Sequence, residues 1–155
     1  LKRVHELPPF ALPVSEIVPS SRDRGFIAAD SGGNINLYHA TSQQKLAQLK
    51  TDGPPVKNLA FAPKGNGILA VDGAGKLYDW NLDNPHPETS FQTLFGKVWY
   101  EGYSKPEYVW QSTGGTDDFE PKISLTPLAF GTLKGALYAL LFAIPLSIFG
   151  AICVS

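Results

Sequence analysis

At 155 residues the chain can form one domain with a real core, or a small domain with an appendage. Only 17% of the residues are charged and the net charge is -1, so there is no basic stripe to neutralise phosphates and nucleic acid is not an expected partner. With 15 Gly and 13 Pro the chain is rich in turn formers, which suits an all-β body better than a helical one.

The chain opens on Leu1-Lys2-Arg3 and proline-rich polar sequence rather than an apolar leader, and it contains no methionine. It therefore reads as part of a longer polypeptide. Its one cysteine, Cys153, has no partner for an internal disulfide and says nothing firm about compartment.

A shift of 42 residues aligns Pro13–Tyr38 with Pro55–Trp80 without a gap. Identical pairs include Pro13/Pro55, Gly25/Gly67, Asp30/Asp72 and Gly33/Gly75, and apolar character is kept at Ile17/Leu59, Ile27/Leu69, Ile35/Leu77 and Tyr38/Trp80. In the first copy the pattern predicts strands over Val14–Val18, Gly25–Asp30, Asn34–Tyr38 and Lys45–Leu49. The second copy repeats the plan with Val56–Ala62, Ile68–Asp72, Lys76–Trp80 and a fourth strand over Glu88–Phe95. Asp30 with Gly33, and Asp72 with Gly75, mark the hairpin turns. Glycine adopts positive φ freely there, while aspartate accepts local backbone hydrogen bonds.

Four strands per period of this length is the signature of a propeller blade, and two blades do not close a ring. The expected fold is mainly β: incomplete β-propeller-like (WD-like) antiparallel blades over 1–96, followed by a C-terminal apolar α-helix. The blade pattern is loose, because the Gly-His dipeptide is absent and Asp79-Trp80 inverts the usual order.

Residues 97–122 form a connector in which Trp99, Tyr100, Tyr103, Tyr108 and Trp110 crowd together before an acidic loop at Asp117, Asp118 and Glu120. Aromatics with polar tips gather both in small cores and at membrane interfaces. The carboxylate loop reads first as a solvated loop, and otherwise as a surface that orients a docking partner. After Lys134 no charged residue follows, and Ala136–Val154 is apolar on every side over roughly the 20 residues that a bilayer requires. Thr126-Pro127 offers a helix start, with Pro145 as a kink that neighbouring helices can satisfy. The competing reading is a helix buried in a soluble core.

Two sequence runs carry a family resemblance. Ser124-Leu125-Thr126-Pro127-Leu128-Ala129-Phe130-Gly131-Thr132-Leu133-Lys134, with Ala139–Leu146 after it, resembles the start of the transmembrane core of ABC-importer permeases. The preceding Val109–Lys122 resembles the junction in long proteobacterial forms of the phosphate permease subunit (PstC-like), which carry a WD-like domain outside the inner membrane. The resemblance implies a bacterial inner-membrane protein with residues 1–122 on the periplasmic side and the permease core starting at 123–155. Its implied partners are the other permease subunit, an ATPase subunit and a phosphate-binding protein. It carries over no phosphate-contacting residue.

No catalytic, cofactor or metal site is expected. His5, His39 and His86 lack ligand spacing, Gly65-Asn66-Gly67 leads into a strand rather than a helix, and Gly75-Lys76 lacks the rest of a phosphate loop. With no nucleophile, base and oxyanion site to assemble, an enzyme is not expected. The alternative function is a soluble propeller-type protein-interaction module, and in either case an apolar tail and an open blade edge favour self-association.

Overall fold

A computed structural model describes residues 2–115 and 119–154. The body is mainly β. Strands β1 (Val14–Pro19), β2 (Gly25–Asp30), β3 (Asn34–His39) and β4 (Gln44–Lys50) form an antiparallel sheet in chain order. Strands β5 (Val56–Phe61), β6 (Gly67–Asp72) and β7 (Leu77–Asn81) form a second. A short pair, β8 (Trp110–Gln111) and β9 (Lys122–Ile123), follows in the connector, and helix α2 (Thr126–Val154) ends the chain.

The 42-residue period is a property of the backbone as well as of the sequence. Ser31 N donates to Pro13 O and Gly73 N to Pro55 O, both at 3.0 Å. Ser20 N donates to Gly25 O as Ala62 N does to Gly67 O, and Ala40 N to Arg24 O as Leu82 N does to Asn66 O. A register shift falls between Val14 and Glu16 in the first sheet and between Val56 and Asn58 in the second. Such bulges sharpen local twist, so both sheets bend at the same place.

The turn aspartates repeat as well. Asp30 Oδ1 accepts from the amides of Gly32 and Asn34, and Asp72 Oδ1 from those of Ala74 and Lys76, all at 2.9 Å. The second oxygen takes Asn34 Nδ2 in one copy and the Tyr78 hydroxyl in the other. Gly33 and Gly75 sit at φ 80° and 83°, the left-handed region that a β-carbon disfavours. Both carboxylates are 1% exposed. Burial works to raise their pKa values, but the hydrogen bonds from Asn34 and Gly32, and from Lys76, Ala74 and Tyr78, outweigh it and hold both below the ordinary range.

One core joins the two sheets. Ile27, Ala29, Ile35 and Leu37 from the first pack on Val56, Leu59, Ile68 and Ala70 from the second, with Phe61, Tyr78 and Trp80 at the margin. The other face of the first sheet is covered by the N-terminal segment. Tyr38 donates its hydroxyl to Pro8 O at 3.0 Å, and the Phe10 ring meets the Tyr38 ring edge-on.

The expected fourth strand over Glu88–Phe95 does not form. Helix α1 (Phe91–Phe95) stands there instead. Ser90 Oγ accepts from Thr93 N at 3.0 Å, and Thr93 Oγ1 accepts from Ser90 N at 2.8 Å. This reciprocal box nucleates a helical turn, while Pro85 and Pro87 have no N–H to give to a ladder along β7. The second sheet is left with three strands, and no closed ring of blades is present among the described residues.

Replacing Asp30 with Ala leaves two turn amides without their acceptor and should cost about 2 kcal/mol in chemical denaturation. Because the folded pKa values of Asp30 and Asp72 are depressed, their contribution is complete above the unfolded value and is lost as pH falls through the folded one. Acid titration of the wild type should therefore show a loss of stability below about pH 4 that is smaller in Asp30→Ala.

Candidate functional site

The β body meets α2 at a joint built from short elements. Leu125 N donates to Leu94 O at 2.8 Å, so the last turn of α1 accepts the backbone that leads into α2. Thr126 Oγ1 reaches Phe95 O at 3.4 Å, and Ser124 N donates to Val109 O at 3.0 Å. The helix is thus rooted on α1 and on the β8–β9 pair. In the connector Val98 and Tyr100 are buried, and Trp99 Nε1 donates to Tyr103 O at 2.8 Å. Of the crowded connector aromatics, Tyr100 joins the interior whereas Tyr108 and Trp110 are exposed.

Beside this joint lies a polar cleft of about 250 Å³ whose charged lining comprises Arg22, Asp23, Arg24, Glu88 and Glu120, with His39 at its base. Glu120 is 11% exposed and its Oε2 lies 3.9 Å from Arg24 Nε, while Arg24 also pairs with the more exposed Glu101. The connector is therefore clamped to the turn before β2. Burial first, and the Glu120 charge second, push the Tyr100 hydroxyl up to about 12, so it stays protonated. His39 is buried and its Nδ1 lies 2.9 Å from Ser42 Oγ, which in turn sits 3.1 Å from Pro87 O. Burial lowers its pKa below the ordinary value, against the opposing pull of Glu120, Asp23 and Glu88. The ring is neutral at pH 7.

The expected docking loop divides at this point. Asp117 and Asp118 lie outside the described residues, and Glu120 turns into the cleft toward Arg24. The turn residues Asp30, Gly33, Asp72 and Gly75 lie at the ends of β-hairpins, where their hydrogen bonds are internal. His5, His39 and His86 do not converge: His39 binds Ser42, and His86 pairs with Glu88 at 3.2 Å on the surface. No metal-ligand cluster occurs among the described residues. The Arg24–Glu120 clamp escaped the sequence reading because its partners are 96 positions apart (120 - 24), with no spacing rule to connect them.

Helix α2 is the other candidate element. None of its 29 residues is buried, so it is not the core helix of this body. Its length and composition suffice to cross a bilayer. No protein-family model matches this chain, and no curated protein matches it.

The depressed pKa of His39 has a readable consequence. The unfolded chain takes up this proton near pH 6.5 while the folded chain resists it, so stability is complete above that value and declines as pH falls below it. The denaturation midpoint of the wild type should drop between pH 7 and 5.5, and His39→Leu should flatten that slope. An unchanged slope would remove His39 as its source.

Proposed function

We propose that this chain is a piece of an inner-membrane permease for ATP-driven phosphate import, in which the β body is an extracytoplasmic scaffold with no chemistry of its own. The observation that carries the reading is α2, a long, charge-poor helix that touches the β body only at its root and is exposed from Leu128 to Val154. Water is a poor solvent for such a surface: each exposed Leu, Ile or Phe side chain forgoes about 1.5–3 kcal/mol of burial.

Several features of α2 suit lipid. The run 135–154 after Lys134 spans about 30 Å at the helical rise, which is the thickness of the hydrocarbon core. Two of its hydroxyls are spent internally, Thr132 Oγ1 on Leu128 O at 3.0 Å and Ser147 Oγ on Ile144 O at 2.8 Å. Such bonds reduce the cost of placing a polar group in an apolar medium. Lys134 Nζ lies 5.6 Å from the Tyr138 ring, a pairing suited to the headgroup boundary. Gly131, Gly135, Ala139, Ala143, Ser147 and Ala151 recur at every fourth position, and small residues in that pattern let membrane helices approach closely. Pro145 leaves a carbonyl one turn back without its usual donor, a group that neighbouring helices in a permease bundle can satisfy.

The phosphate assignment rests on the resemblance of residues 109–146 to the junction and first core helix of phosphate permeases. The resemblance implies a periplasmic position for residues 1–122 and, for the full-length parent, three partners: the second permease subunit, the ATPase and the phosphate-binding protein. The 42-residue repeat, with one face of the first sheet stacked on the second, supports propeller-like blades in the periplasmic part.

Disrupting the gene in its source cells should abolish most high-affinity phosphate uptake, with the product resisting alkaline carbonate extraction from inner membranes. Undiminished uptake with the product still in the membrane would overturn the phosphate assignment alone. A product released by carbonate would overturn the membrane reading and leave a soluble interaction module.

A further inference from the structure

The two copies of the repeat differ in what covers them. In the first sheet, one face carries Phe26, Ala28, Asn36 and Tyr38, and the N-terminal segment lies on it through Pro8 and Phe10. Its opposite face, with Ile27, Ala29, Ile35 and Leu37, stacks on the second sheet. The second sheet receives that contact on Ile68, Ala70, Tyr78 and Trp80, the counterparts of Phe26, Ala28, Asn36 and Tyr38 at the 42-residue offset. The contact is thus head to tail: the second face of one sheet meets the first face of the next.

Among the described residues no strand or helix packs on the second sheet's own second face, where Leu69 and Val71 are half-buried and Ala60 and Leu77 exposed. Ala60, Leu69, Val71 and Leu77 stand there in the places of Val18, Ile27, Ala29 and Ile35. Ile35 is fully buried, whereas its counterpart Leu77 is 66% exposed. The free edge of β7 adjoins this face. In the first sheet the matching edge is filled by β4, whose Ala47 and Leu49 extend the core and whose chain runs directly into β5 of the next sheet. In the second sheet the residues after β7 turn into α1, so no local strand takes that place.

We propose that both open surfaces are filled by one further unit of the same repeat, carried elsewhere on the same polypeptide: a β4-like strand on the edge of β7, leading into a sheet whose first face covers Leu69, Val71 and Leu77. The intrachain contact supplies the template, since the same strand-then-sheet order already fills the equivalent edge and face of the first sheet. A second copy of residues 1–155 is the poorer occupant. Its only outward first face, around Tyr38, is already occupied by its own Pro8 and Phe10. The occupant therefore has the chemistry of Phe61, Tyr78 and Trp80: aromatic and branched side chains alternating along antiparallel strands. The inference rests on the reading of this chain as part of a larger permease.

Thiol accessibility tests it. In a Cys153→Ser background, Leu77→Cys and Val71→Cys are made singly, with Lys64→Cys in an exposed turn as reference. Maleimide labelling is followed in the whole gene product in its own membranes and in residues 1–155 alone in dilute detergent. The expected result is labelling at 71 and 77 at least tenfold slower than at 64 in the whole product, and at comparable rates in residues 1–155. Comparable rates in both would overturn the proposal, as would a gene product no longer than residues 1–155. Slow labelling in residues 1–155 that accelerates on dilution would put a second copy on this face and overturn it too. Using two positions keeps one misfolded variant from deciding the outcome. Failure of the membrane reading is separable, since it appears as product in the soluble fraction whatever the labelling rates.

Discussion

The structure depends on the stacking of one sheet face on the next. The first sheet has four strands and the second three, and each buries an apolar face by stacking on the other. Burying Ile27, Ala29, Ile35 and Leu37 against Val56, Leu59, Ile68 and Ala70 supplies the only extended apolar cluster described in the body. The aspartate-closed hairpins serve that contact. By tying Asp30 to Gly32 and Asn34, and Asp72 to Ala74 and Lys76, they fix the register that turns the apolar set toward the neighbour.

The same contact determines where the rest of the chain can go. With the second sheet ending at β7, the chain leaves through Pro85 and Pro87, caps α1 at Ser90 and delivers the backbone to the root of α2. Arg24, from the turn before β2, holds the connector through Glu120. Helix α2 is attached to the β body by hydrogen bonds at its root and, through the connector, by the Arg24–Glu120 ion pair.

The strand pattern was legible because alternating apolar residues between Gly and Asp turns have one physical meaning at this length. Gly25–Asp30 is a strand with those bounds, and six others fall within a residue of their expected ends. Glu88–Phe95 misled because it sits where the repeat demands a strand and contains Phe91 and Phe95. The capping pair Ser90 and Thr93, a weaker signal than Ser with Glu or Gln, decided it for helix. The β8–β9 pair was not legible, since two-residue strands joined across a long loop leave no periodicity. Nor was the cleft, whose parts meet only through the tertiary fold. The apolar tail was the plainest feature, and none of its described residues is buried in the body, which disfavours the buried-core alternative within these residues.

The central claim is that α2 finds its solvent in lipid. Amide hydrogen exchange of the full chain reconstituted in lipid nanodiscs tests it most directly. Among the described residues nothing covers 135–154, so protection of these residues beyond that of an isolated helix is the mark of the bilayer. The account predicts that these amides exchange more slowly than those of β5 and β7, and that the protection stops near Lys134. Rapid exchange across 135–154 in nanodiscs, with the β body still protected, would contradict it.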